Sequence, residues 1–311
     1  MPTTFAQPYF LDGNTLIDST SVYLNSALSV FAPDGWYSDG SNIRELSGGV
    51  LQPVQPCPAC GVSCGGQING SGGTGEYILQ IDTGSLSSST GAIVVTFDPF
   101  SVPDGIIAEL DGVFYNQVSS PTYGYLAGTP DLPIFLGRSA SDCGISGSTR
   151  TLNTFLWNGT AFVATGSTDT ITIAAGQMQL TTNGPGPCIM VVPKINPTPS
   201  LLTVKCYGVC GSTAFNVKVS CPSKIKSINS SIRFDSSSDP ALCSASLGNK
   251  LYPVRVTGVS PYLGLNDWIF GDEFGSVVVP DGFYRTNNLN APYDTIEVQT
   301  GLVVDILNLC P

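Results

Sequence analysis

Apolar and polar residues alternate in short runs along most of this chain. Residues 76–82 (EYILQID) and 92–97 (AIVVTF) are β-branched runs of strand length. Residues 105–116 (GIIAELDGVFYN) read as a hairpin with Asp111-Gly112 at its tip. Residues 154–164 (TFLWNGTAFVA) set Asn158-Gly159 between two alternating segments, which predicts a two-residue type I′ turn. Further strands are expected at 170–174, 179–182, 188–192, 201–206 and 214–221. In the last of these Phe215, Val217, Val219 and Cys221 alternate with polar residues, so one face is buried. No stretch repeats apolar residues at helical spacing for three turns. The fold class is therefore all-β, and short strands at this spacing predict a central β-sandwich of jelly-roll type.

A second pattern operates at long range. The hexapeptide APDGWY at 32–37 returns as VPDGFY at 279–284. Without gaps, Val22-Tyr23 falls on Ile269-Phe270, Asn25 on Asp272, Ser29-Val30 on Ser276-Val277, and Tyr37 on Tyr284. With a shift in spacing, Gly49-Val50-Leu51 leads to Cys57 as Gly301-Leu302-Val303 leads to Cys310. The Pro-Asp-Gly element has a mechanism: Pro presets φ, Asp bonds nearby backbone, and Gly accepts positive φ. A lone copy at 102–105 shows that the tripeptide alone is ordinary punctuation, so the flanking matches carry the repeat.

Three regions follow: an N-terminal β-meander with a cysteine-rich end (1–68), a central sandwich (69–222), and a Ser-rich connection leading into the second meander (223–311). The connection carries one expected strand near 251–256. A meander of about 45 residues buries too little to stand alone. Its apolar residues (Val22, Leu24, Val30 and Trp36 in one copy, Ile269, Val277, Val279 and Phe283 in the other) must pack on a larger domain or another subunit. At least one meander is expected to be completed by another chain, giving a homo-oligomer.

Composition narrows the chemistry. Only 11% of residues are charged, and the net charge is −11. Twelve scattered Lys and Arg give no phosphate-binding patch, so nucleic acid is not an expected partner. Residues 1–30 lack a basic segment followed by an uninterrupted apolar run, so no secretory signal is expected. The apolar runs are too short for membrane insertion. With no histidine, Ser-His-Asp and Cys-His nucleophiles and imidazole acid–base catalysis are excluded.

The remaining candidates are few. Cys57, Cys60 and Cys64 have the spacing of a zinc knuckle, with a distant carboxylate or cysteine (Cys206 or Cys210) as the fourth ligand; disulfides or buried thiols are the other readings. Asp98, Asp104 and Asp111 are calcium candidates, set against the ordinary use of Asp in turns. Glu109 with Asp98 or Asp111 would be the acid pair of a glycoside hydrolase, a pairing that almost any chain of this size offers. Trp36, Tyr37, Trp157, Phe283 and Tyr284 are candidates for sugar stacking or interface anchoring, one of each adjacent pair being core. Asn69, Asn158 and Asn229 match the glycosylation pattern and read as turn residues. No cofactor is expected.

Residues 10–60 (FLDGNTLIDSTSVYLNSALSVFAPDGWYSDGSNIRELSGGVLQPVQPCPAC) resemble an N-terminal module of virion-associated proteins of tailed bacteriophages, especially those of marine and freshwater bacteria. The segment GAIVVTFDPFSVPDGIIAELDGVFYN and the closing NDWIFGDEFGSVVVPDGFYR with GLVVDILNLC are similar to other parts of the same proteins. The resemblance carries no catalytic motif. It implies a place in the virion, assembled in the host cytoplasm, and no reaction. Together with the two meanders it leads to the expectation of a tail, fibre or other surface appendage with partners in itself and other virion proteins, a host-surface glycan being a further candidate. The alternatives are a capsid decoration or head-fibre protein and a carbohydrate-binding adhesin module.

Overall fold

The computed structural model describes residues 9–310 apart from 17, 39–41, 54, 57–61, 84–89, 139–142, 175–176, 181–185, 198–200 and 257–260. Strands dominate, and the helix Ala241–Ser244 is a single turn. The all-β class holds.

The central region is two sheets packed face to face. One runs Gly124–Ala127, Gln117–Ser120, Cys188–Lys194, Gly91–Asp98, Ala214–Val219, Gln67–Ser71. The other runs Phe162–Ile173, Ser148–Trp157, Gly75–Asp82, Leu201–Gly208, Asp104–Leu110, Ile134–Gly137, Met178–Leu180. Inward residues of the first sheet (Ile93, Val95, Phe97, Met190, Val217) meet those of the second (Leu79, Ile81, Ile106, Val204, Leu136) in one core. Three short pairings in the second sheet are parallel, including Thr154–Leu156 beside Glu76–Ile78. That departs from the antiparallel order of a jelly roll.

The boundaries lie outside those expected. Val62-Ser63 pairs with Ile81-Asp82, and Cys64 forms a disulfide with Cys221, so the sandwich starts before residue 69 and is closed near both ends by one covalent link. A second disulfide joins Cys143 to Cys210. Residues 223–264 are more than a connection. They supply strands Ile228–Ser230 and Asn249–Val254 and the helical turn to a sheet ordered Ile228–Ser230, Asn249–Val254, Trp268–Phe270, Leu302–Leu307, Thr295–Gln299, Gly282–Arg285. The Cys243–Cys310 disulfide ties that helical turn to the segment that follows the last strand.

Local turn chemistry is as expected at one hairpin and different at the other. Asp111 (φ 53°) and Gly112 (φ 79°) connect Leu110 to Val113 as a two-residue turn. At the other, Trp157 pairs with Phe162, so the loop holds four residues. Asn158 is the reason: its Oδ1 accepts from the backbone of Thr160 (3.0 Å) and Ala161 (2.9 Å), drawing both into the loop. Asn69 and Asn229 sit within strands and not in turns.

Polar groups inside the sandwich are of two kinds. Glu76, buried, is satisfied: it pairs with Lys205 Nζ at 2.8 Å and accepts from the Thr154 hydroxyl at 3.1 Å, linking three neighbouring strands. Asp104, fully buried, has no hydrogen-bond partner of good geometry, because the Thr213 hydroxyl is committed to the Cys210 carbonyl at 2.8 Å. Burial, partly offset by Thr213, pushes its carboxyl up from 3.8 to about 8. Between those values only the unfolded chain releases the proton, so stability falls as pH rises through this window and levels off above it. Asp104→Asn is expected to raise the unfolding midpoint at pH 8 and change it little at pH 4. Denaturant titrations at the two pH values measure this, and an equal shift at both refutes the assignment.

Candidate interaction site in the repeated module

The two meanders share strand order and hydrogen-bond register. In the first, strand Val22–Tyr23 lies between Phe10–Leu11 and the segment holding Leu51, whose N–H donates to the Thr20 carbonyl at 2.9 Å. In the second, Trp268–Phe270 lies between Asn249–Val254 and Leu302–Leu307, with Val303 N–H donating to Asp267 at 3.0 Å. The bridge Tyr23–Phe31 matches Phe270–Val278. Leu24 N–H reaches Val30 as Gly271 reaches Val277. Asn25 Oδ1 accepts from Ser29 N–H at 3.0 Å, and Asp272 Oδ1 from Ser276 N–H at 2.9 Å. A carboxamide and a carboxylate hold the same loop by the same bond.

The Pro-Asp-Gly turns are equivalent too. Tyr37 donates its hydroxyl to the Pro33 carbonyl at 2.6 Å, and Tyr284 to Pro280 at 2.7 Å, so each tyrosine staples its own turn. Gly35 pairs with Leu46 and Gly282 with Val298. The tight turns Gly48-Gly49 and Thr300-Gly301 both carry positive φ at both positions. Gly49 and Gly301 also leave room for the facing residue: a Cβ on Gly301 would lie 2.3 Å from Val278, and one on Gly49 3.4 Å from the Phe31 ring.

Each module has an inner and an outer face. The inner face is a small core in both: Val22, Ala32, Leu46 and Leu51 in one, Ile269, Val279, Val298 and Val303 in the other. The apolar sets expected from sequence are therefore divided, since Val22, Ile269 and Val279 point inward while Leu24, Val30 and Val277 are exposed. The outer faces differ. In the second module Trp268, Phe270 and Leu302 pack against Val94, Ile189 and Val191 of the sandwich, where Trp268 Nε1 donates to the Ile189 carbonyl at 3.4 Å and Ser119 Oγ to Asn266 O at 2.6 Å. Phe270 and Leu302 are 3% and 1% exposed. Their counterparts in the first module are Tyr23, half-buried and stacked on Phe31 at 5.1 Å, and Val50, 57% exposed; Phe31 and its counterpart Val278 are exposed in both modules. One outer face is covered and the other is open.

Position 275 fixes the docked geometry. Gly275 (φ 73°) approaches the sandwich so closely that a Cβ there would lie 2.8 Å from Val191 Cγ1. The matching residue of the first module is Leu28, also left-handed (φ 53°) and exposed. A leucine in that conformation costs about 1 kcal/mol or more, and 39% of this one stays exposed.

The other candidates are dispersed. Cys57 and Cys60 lie outside the described residues, and Cys64 is not a thiolate but half of a disulfide, so it is no zinc ligand here. Cys210 is likewise disulfide-bonded. Cys206 and Cys188 are free and buried, and burial pushes both thiols up, Cys188 to about 12, which makes them inert. Asp98 belongs to one sheet and accepts from Phe100 N–H at 2.9 Å, whereas Asp104 and Asp111 stand at opposite ends of strand Asp104–Leu110, roughly 20 Å apart at the usual strand rise. The three calcium candidates are thus not brought together, and no metal-ligating cluster occurs among the described residues. Glu109 and Asp111 share a hairpin, Asp111 at its exposed tip, and Asp98 is on the other sheet. Of the aromatics, Tyr284 is core, Tyr37 and Phe283 are half-buried, and Trp157 packs edge-on to Phe162 at 5.0 Å; the Trp36 side chain is outside the described set. Sequence reasoning passed over Tyr23, Leu28, Phe31 and Val50. The mismatch of Leu28 with Gly275 in the gap-free repeat was the available signal.

Comparison with protein-family models, curated proteins and solved structures finds no match to this chain.

Gly275→Leu is expected to lower stability by about 2–4 kcal/mol through the clash and the left-handed strain. Leu28→Gly in the other module is expected to be neutral or stabilising by about 0.5–1 kcal/mol. Urea unfolding of both variants measures the contrast, and equal effects would remove the distinction between the covered and the open face.

Proposed function

We propose that this chain is a non-catalytic structural component of a bacteriophage virion, a tail, fibre or other surface element that assembles through its repeated module. The observation that supports this reading most is the repeat itself. One copy is seated on the sandwich through its outer face, and the other presents the same face uncovered. A module used once for intramolecular docking and left open once is what an assembly unit needs. One further feature fits. The disulfides joining Cys64 to Cys221, Cys143 to Cys210 and Cys243 to Cys310 suit a protein that works outside the reducing cytosol, as virion surfaces do. The choice of a virion rests on the resemblance of three segments read from the sequence.

Mass spectrometry of density-purified particles from a lysate encoding this chain tests the reading. The chain is expected in the particle band at structural stoichiometry, and its confinement to the soluble fraction would overturn the proposal. Purified protein is expected to show no turnover on polysaccharides or peptides. Reproducible hydrolysis lost in Glu109→Gln or Asp111→Asn would replace the structural role with an enzymatic one.

A further inference from the structure

Two of the disulfides close folded units near their ends. Cys64 follows the opening strand Val62–Ser63 of the sandwich, and Cys221 follows the strand Ala214–Val219. They are 157 positions apart along the chain and 4.7 Å apart between Cα atoms. Cys143–Cys210 lies nested inside that loop. Cys243 and Cys310, 67 positions apart and 5.2 Å between Cα atoms, close the second module in the same way. The stretch between the two loops, 222–242, holds no cysteine and is fastened by noncovalent contacts. Ser223 exchanges hydrogen bonds with Ala92 of the sandwich at 2.9 and 3.1 Å. On the module, Ile225 N–H donates to the Glu273 carbonyl at 2.8 Å, Phe234 exchanges two bonds with Phe283, and Ile228–Ser230 pairs with Asn249–Val254.

We propose that this chain is built to carry tension through its disulfides, and that under load the second module leaves the sandwich as a folded body on the 222–242 leash. A pull on residues before Cys64 and after Cys310 crosses the Cys64–Cys221 bond, runs along 222–242 and crosses the Cys243–Cys310 bond. The strands inside the two loops lie off that covalent path, so the backbone hands them no load. Hydrogen-bonded strands part bond by weak bond, whereas a disulfide opens by thiol exchange. The links left to yield are the leash contacts and the seat of Trp268, Phe270 and Leu302 on Val94, Ile189 and Val191, with the Ser119–Asn266 bond beside it. The leash is 21 residues long. Fully extended it spans at most about 80 Å between its flanking cysteines, so the module separates by no more than that and neither unit unfolds. This property belongs to the covalent frame and holds whether or not the chain is part of a virion.

Single-molecule force spectroscopy on the oxidised full-length protein, held by handles fused at both ends, tests this. The total gain in length is expected to stay below about 300 Å, the combined reach of the first module and the leash. Dithiothreitol is expected to add one step of about 540 Å from the sandwich and one of about 230 Å from the second module. In the Cys64→Ser/Cys221→Ser double variant the sandwich step is expected to fall to about 310 Å, because Cys143–Cys210 keeps its own loop closed. Circular dichroism checks that this variant is folded; reduction of the wild type decides the matter without it. A step longer than about 300 Å in the oxidised protein would overturn the inference. So would a reduced protein that lengthens no further over the same forces, since the sheets would then bear the load unaided. An oxidised gain that stops at the first module's share of about 230 Å would show that the leash stays shut, and would overturn it too.

Discussion

The burial of Trp268, Phe270 and Leu302 against Val94, Ile189 and Val191 is the contact on which the arrangement of the chain depends. A small twisted meander encloses one apolar face with its own residues and has nothing left for the other. The sandwich answers for one copy. Its strands Gly91–Asp98 and Cys188–Lys194 are apolar on both sides, with Ile93, Val95, Met190 and Val192 turned to the internal core and Val94, Ile189 and Val191 turned outward to receive the module. Without that cover the outward residues would form an exposed apolar patch on a folded domain.

The same constraint explains the difference between the copies. Hydrogen-bond register, the tyrosine staple on the Pro-Asp-Gly turn and the side-chain clamp by residue 25 or 272 are held in common, since each is an internal requirement of the meander. The outer face is set by the surface it meets. Glycine at 275 permits contact within van der Waals distance of Val191, and leucine at 28 forbids it.

Buried polar groups mark where the sandwich is closed and where it is tuned. Glu76 with Lys205 and Thr154 is a satisfied network that links adjoining strands. Asp104 is without a hydrogen-bond partner of good geometry and is neutral up to about pH 8, which makes it a source of pH sensitivity. The aromatic cluster of Tyr77, Phe155, Phe162 and Phe215 fills the end of the core beside Gly70, where the Phe215 ring occupies the place a Cβ would take.

Alternation along each strand and the Pro-Asp-Gly repeat, both local in origin, determined the all-β class, the strand positions, the Asp111-Gly112 turn and the equivalence of the two meanders. What required tertiary structure was every relation between distant segments. Residues 223–264 read as a connection with one strand near 251–256, because the three-residue edge strand Ile228–Ser230 leaves too short a periodic signal; it is a strand only by pairing with Asn249–Val254, which in turn pairs with Trp268–Phe270. The four-residue loop at Asn158 turned on one side chain's choice of backbone partners. Asp98, Asp104 and Asp111 were neighbours in sequence, but strand geometry carries them to different sheets and opposite ends. The open face at Tyr23, Leu28, Phe31 and Val50 was decided last, since an apolar residue reads the same in sequence whether a neighbour covers it or not.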